Sequence, residues 1–235
     1  MALLADKRIN RSMNEIIKIL SQSCLAALAV LCVLWASITS ALVFDPSKQA
    51  ASKIQPDNLY PQVKFETTMG DIVIELDRRK APVTVNNFLG YVVSKEYDNT
   101  VFHRIISDYV VQGGGYTPEF KEKTVNEPII NESGNGLKNS YYSISMAREN
   151  DPHSATRQFF FNMDENDNLD PGRDWGYTVF GSVVEGTEVL DTMSQVETEY
   201  RPLIRFKDVP KEAIILKTAS ILPEVKYGTE QEQEQ

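Results

Sequence analysis

The stretch Val101–Gly115, V-F-H-R-I-I-S-D-Y-V-V-Q-G-G-G, constrains the fold of this chain more than any other. Two runs rich in β-branched residues, Val101–Ile106 and Tyr109–Val111, flank the polar pair Ser107-Asp108, a pattern of two strands joined by a turn. One cation, Arg104, stands inside the first run. Period-two alternation predicts Phe102, Arg104 and Ile106 on one face and Val101, His103 and Ile105 on the other. An arginine among such neighbours is costly to bury unless its donors find partners or chemistry. Taken alone, it reads as a structural ion pair on a strand.

The surrounding pattern is also β. Residues 63–77 alternate apolar and polar twice, with a break at Met69-Gly70, which predicts a hairpin with Val63, Phe65, Ile72, Ile74 and Leu76 facing inward. Ala81-Pro82 opens a helix, because proline costs nothing in a first turn. Val85, Phe88, Leu89 and Val92 then give it one buried stripe, able to plug one end of a barrel. Residues 116–139 are polar and read as surface loops, with Asn131-Glu132-Ser133 matching a glycan acceptor pattern. Strands are expected at 141–147, 158–163, 178–184 and 213–222, and a second helix at 188–196. Many strands and few helices predict an antiparallel barrel, which removes exposed sheet edges.

The chain has 235 residues, enough for one substantial core. Its first 44 residues are of another kind. Lys7, Arg8, Arg11 and Lys18 outnumber Asp6 and Glu15, and residues 24–44 then run without a charge. A basic start, an apolar run and small residues at Thr39-Ser40-Ala41 describe a secretory signal cleaved after Ala41. The run also reaches the length of about 20 residues that spans a bilayer, so an uncleaved anchor through residues 24–44 is the alternative. In either case the positive-inside rule puts the remainder outside the cytoplasm, in the periplasm. Residues 45–60 read as a linker, 61–225 as the folded domain and 226–235 as an acidic tail.

Charge and cysteine usage exclude several functions. Both cysteines, Cys24 and Cys32, lie in the apolar run, so the domain has no disulfide or thiolate metal site. Net charge is -9 for the chain and -11 beyond residue 41, which argues against nucleic acid or anionic membrane surfaces as partners. Asp164–Trp175 fails as a calcium loop, with Leu169 where glycine is required and Trp175 where glutamate is. The triple glycine 113–115 lacks the lysine of a phosphate loop. The two histidines, His103 and His153, sit in no triad pattern, so hydrolysis is unsupported. No cofactor is expected. What remains is chemistry that needs no nucleophile.

Four motifs in order and at compatible spacing, F-H-R-I-I-x-x-Y-V-V-Q-G-G, S-M-A, Q-F-F and L-D followed by V-F-G, resemble the cyclophilin family of peptidyl-prolyl cis-trans isomerases. The resemblance covers residues 63–222 and is closest in character to exported bacterial members. It implies a mainly β fold, a closed antiparallel eight-stranded barrel capped by two helices, behind the signal or anchor helix. It further implies that Arg104 is catalytic and that Gln112 and Gln158 contact substrate. Phe160 would floor a proline pocket with Tyr109, Val110 and Leu169 as walls. Ala147, Arg148 and Tyr177 complete the implied substrate groove.

Several positions depart from the family pattern. Tyr109 and Val110 replace a common phenylalanine and methionine, Arg148 a usual asparagine and Tyr177 a frequent histidine. Asn168 stands where many members carry the tryptophan that supports cyclosporin binding. The expected partners are proline-containing unfolded or flexible polypeptides, met by a monomer. A non-catalytic peptide-binding module using the same groove is the alternative, which the presence of Arg104 disfavours.

Overall fold

The computed structural model describes residues 54–224; the uncharged run, most of the linker segment and the C-terminal tail lie outside the described residues. Two strands open the domain, β1 (Gln62–Thr67) and β2 (Asp71–Leu76). They pair antiparallel, with the Thr67 hydroxyl donating to the Gly70 carbonyl at 2.6 Å across the predicted turn. Val63, Phe65, Ile72, Ile74 and Leu76 are all fully buried, as the alternation requires. Helix α1 (Pro82–Val93) follows with proline in its first turn, and Val85, Phe88, Leu89 and Val92 enter the core.

The remaining elements are β3 (Thr100–Val101), β4 (Arg104–Ile106), β5 (Val110–Gly113), β6 (Ser143–Met146), β7 (Phe159–Asn162) and β8 (Val179–Glu185). After them come α2 (Thr187–Ser194), β9 (Thr198–Arg201), β10 (Phe206–Pro210) and β11 (Ile215–Ile221). Rings of Phe65, Phe88, Tyr97, Phe159 and Phe180 meet in the interior at centroid distances of 5.1–6.5 Å. Each buried phenylalanine contributes about 1.5–3 kcal/mol relative to exposure, so this aromatic cluster dominates the core.

The expected count of eight strands is corrected. The main sheet has nine strands in the order β3-β11-β1-β2-β8-β6-β7-β5-β4, and β9 and β10 form a separate ribbon. It is a curled sheet whose ladder ends at β3 and β4, two pieces of one chain segment separated only by Phe102-His103. The Phe102 amide donates to Ile214 at 2.9 Å, whereas the His103 amide donates to Gln112 at 3.1 Å. The segment therefore changes partner strand between these two residues. That switch also breaks the predicted alternation: Phe102 and Ile105 share the core, and Arg104 and Ile106 lie half-buried on the outer side.

Two further readings change. The ribbon β9–β10 was not foreseen, because residues 198–210 carry charges at irregular spacing and no apolar alternation. Its Phe206 packs on His103 (6.0 Å), Tyr116 (5.1 Å) and Phe120 (5.9 Å), beside the catalytic strand candidate β4. The 116–139 region is not wholly surface. Asn131 is 7% exposed and donates from Nδ2 to the carbonyls of Pro152 and Gly176, so it is no glycan acceptor in this fold. Glu132 beside it accepts from the amides of Val83 and Thr84, satisfying orphan donors at the start of α1.

Just after β2, Arg78 is buried and donates to the carbonyls of Ile54, Gln55 and Asn58, which ties down residues 54–58.

Candidate active site

Register brings the predicted residues together. On the ladders Arg104 (β4) faces Gln112 (β5), and Gln112 faces Phe160 (β7). Directly opposed side chains on one sheet face are neighbours, so the three form a row across three strands. Arg104 Nη1 donates to Gln112 Oε1 at 3.2 Å, and Gln112 Nε2 donates to Gln158 Oε1 at 3.0 Å. Gln158 in turn shares a hydrogen bond with the Tyr116 hydroxyl. Among the described residues no carboxylate forms an ion pair with Arg104, so the structural ion pair that an isolated arginine would suggest is not there. Its remaining donors are left to the cavity it lines.

That cavity has a volume of about 210 Å³ and is lined by Arg104, Tyr109, Val110, Gln112, Ala147, Arg148, Phe160, Leu169 and Tyr177. Gln158 lines a second cavity of about 420 Å³, which shares Gln112, Ala147 and Arg148 with the first. Strand alternation explains the division of labour in β7: Gln158 and Phe160 face the groove while Phe159 and Phe161 enter the core. Phe160 is 4% exposed and meets Tyr177 edge-on at 5.5 Å, giving a rigid apolar floor. Leu169 ends a 3-10 turn, Asp167–Leu169, and its carbonyl accepts the Tyr177 amide at 2.9 Å. This bond closes the 170–176 loop and sets the two residues as adjacent walls.

Arg148 lines both cavities but its donors are already committed. It donates to the carbonyls of Glu149 (2.9 Å), Trp175 (2.7 Å) and Gly176 (3.4 Å), and its guanidinium lies 4.7 Å from the Tyr177 ring centre. It therefore braces the wall made by Tyr177. Asn168 donates from Nδ2 to the Tyr109 hydroxyl at 3.4 Å, at the rim.

His103 does not line the cavity and packs instead in the cluster of Tyr116 and Phe206. Burial, reinforced by the Arg104 charge, lowers its pKa from 6.5 to about 4. It stays neutral at ordinary pH and contributes packing. Among the described residues no cluster of histidine, cysteine, aspartate and glutamate is arranged to hold a metal.

A row of arginine, glutamine and phenylalanine over a small apolar cavity is suited to gripping a proline ring beside a hydrogen-bond donor. The family model described as cyclophilin type peptidyl-prolyl cis-trans isomerase/CLD matches residues 62–220. The chain belongs to this family. It is 47% identical over 164 residues to a peptidyl-prolyl cis-trans isomerase of Streptomyces antibioticus, covering 68% of this chain and 98% of the relative. It is 45% identical over 163 residues to isomerase B of Escherichia coli, covering 68% of this chain and 98% of the relative. A cyclophilin of Cryptosporidium parvum, crystallised in the presence of the dipeptide Ala-Pro, superposes with a TM-score of 0.58 at 25% identity. That match covers 69% of this chain and 99% of the other.

Against this cyclophilin frame, sequence reasoning missed Arg157 and Tyr116, which support the site from behind. The signal for Arg157 was present: alternation from Gln158 and Phe160 assigns it to the core face, where an arginine needs several acceptors.

Proposed function

We propose that this cyclophilin accelerates cis-trans exchange at X-Pro bonds of flexible polypeptides, with Arg104 as the catalytic group. Rotation about a peptide bond meets a barrier of about 18–20 kcal/mol, and X-Pro bonds exchange only over tens to hundreds of seconds unaided. In the twisted state the proline nitrogen becomes pyramidal and regains a lone pair. A donor bound more tightly to that state than to either planar isomer lowers the barrier, at about 1.4 kcal/mol per tenfold. Arg104, oriented by Gln112 at the edge of the 210 Å³ cavity, is the donor; Phe160, Val110 and Leu169 hold the ring.

The observation that carries this reading is an arginine without a carboxylate partner, bonded to a glutamine and set against an apolar pocket. The clients in this reading are exported proteins, which the basic residues before the uncharged run support through the positive-inside rule. Either a soluble periplasmic form or one tethered through residues 24–44 would meet chains as they emerge. An isomerisation assay on the full chain with an Ala-Pro peptide, followed by magnetisation exchange between isomers, tests the activity. Binding without faster exchange would instead select the non-catalytic reading. Cell fractionation with N-terminal sequencing tests the location, and a domain that remains in the cytoplasm would overturn it.

A further inference from the structure

Arg157 has no part in the groove-facing row, yet it is the bulkiest of the fully buried side chains, at 1% exposure. Its guanidinium donates from Nε to the Gly114 carbonyl at 2.7 Å, from Nη1 to the Thr124 carbonyl at 2.7 Å and from Nη2 to the Glu96 carbonyl. The Glu96 carboxylate lies 3.5 Å from Nη1, and the rings of Tyr91 and Tyr97 stand 5.1 and 5.7 Å from the guanidinium carbon. One side chain thus joins the segment after α1, the glycines after β5 and the loop that follows them.

Each of these attachments adjoins a wall of the 420 Å³ cavity. Gly115 follows Gly114, Lys123 and Val125 flank Thr124, and Gln158 follows Arg157; all four line that cavity, and the buried Arg157 borders it from behind. Lys123 is tied to the same Glu96 carboxylate at 3.5 Å. The fit behind Gln158 is close: a Cβ on Gly115 would stand 2.7 Å from its Cγ and Cδ. A shift of the glycine backbone would therefore move Gln158, which holds Gln112.

We propose that Arg157 is a positioning residue that fixes the shape of this second cavity, and through it the grip on residues flanking the proline. The proposal rests on the isomerase reading of the neighbouring groove. A planar fork with five donors can hold three divergent carbonyls, whereas an ammonium satisfies fewer of them in fixed directions. The 210 Å³ cavity draws none of its walls from the segments Arg157 ties and meets the clamp only through the Gln112–Gln158 bond, so a substrate that fills it alone should feel the clamp far less.

The test compares the full-length parent with Arg157→Gln and Arg157→Lys on two substrates, a capped Ala-Pro dipeptide and a capped hexapeptide with central proline. For the hexapeptide, Arg157→Gln should lower kcat/KM about tenfold, mainly through KM, with Arg157→Lys between it and the parent. For the dipeptide both variants should stay within about twofold of the parent. Equal loss on both peptides, loss confined to kcat, or no loss would overturn the proposal. If Arg157→Gln does not fold, Arg157→Lys carries the same comparison. If the parent isomerises neither peptide, the isomerase reading fails, and calorimetric affinities for the two peptides still test whether Arg157 acts by length.

Discussion

Arg104 and Gln112 face each other across β4 and β5 and are joined by a single 3.2 Å hydrogen bond from guanidinium to amide oxygen. The amide's other end is held by Gln158, so the arginine is oriented by a chain of two glutamines. A long side chain held this way loses less freedom when it meets substrate, which is the value of preorganisation.

Gln112→Ala should therefore reduce kcat/KM by about tenfold, from one lost charge-assisted bond and a looser guanidinium. The loss should be smaller than that from removing Arg104 itself. Steady-state exchange rates on an Ala-Pro peptide check it, and an effect equal to that of Arg104→Ala would mean that Gln112 does more than orient.

Asn168 sits at the rim, bonded to the Tyr109 hydroxyl rather than presenting an indole. Cyclosporin should bind weakly, and Asn168→Trp should tighten it about tenfold or more by adding a flat apolar wall and a donor. Calorimetric titration of parent and variant reads the difference. Tight binding by the parent would contradict the assignment of this position.

His103 links the site to pH through stability. The unfolded chain protonates it near 6.5 and the folded chain only at about 4, chiefly because of burial. Between those values the unfolded state binds more protons, so stability from this group is fully present above 6.5 and is lost as pH falls toward 4. The loss is on the order of 3 kcal/mol. Urea unfolding across this range should show a shallower pH slope for His103→Phe than for the parent, and an unchanged slope would refute the buried neutral histidine.

Much of this architecture was legible in the sequence, for identifiable reasons. Hairpin β1–β2 and helix α1 announce themselves because Val63, Phe65, Ile72 and Ile74, and then Val85, Phe88 and Leu89, follow their periods without interruption. Nine of the residues that the motifs pointed to line one cavity, because Arg104, Gln112 and Phe160 sit on three adjacent strands in direct register. The partner switch at Phe102-His103 was hidden, since hydrogen-bond partners leave no trace in local alternation. Ribbon β9–β10 was hidden for a different reason: Phe206 is anchored by His103, Tyr116 and Phe120, all distant in sequence. Arg157 and Arg78 work through backbone carbonyls, an acceptor that every sequence position offers equally.

Arg78 supplies the stability prediction. Burial lowers its pKa, and three carbonyls of residues 54–58 accept from it. Arg78→Met should cost about 2 kcal/mol and free that segment. Limited proteolysis should then cut near Ile54–Tyr60 before the domain unfolds; equal resistance in parent and variant would show that other contacts hold the segment.

The central claim is that Arg104 stabilises the twisted imide rather than the bound peptide. The most direct measurement is the exchange rate of an Ala-Pro peptide with Arg104→Ala, alongside peptide affinity and a urea melt of the same preparation. The account predicts a fall in catalysed rate on the order of a hundredfold or more, with affinity changed far less and the fold retained. A folded variant that isomerises as fast as the parent would contradict it.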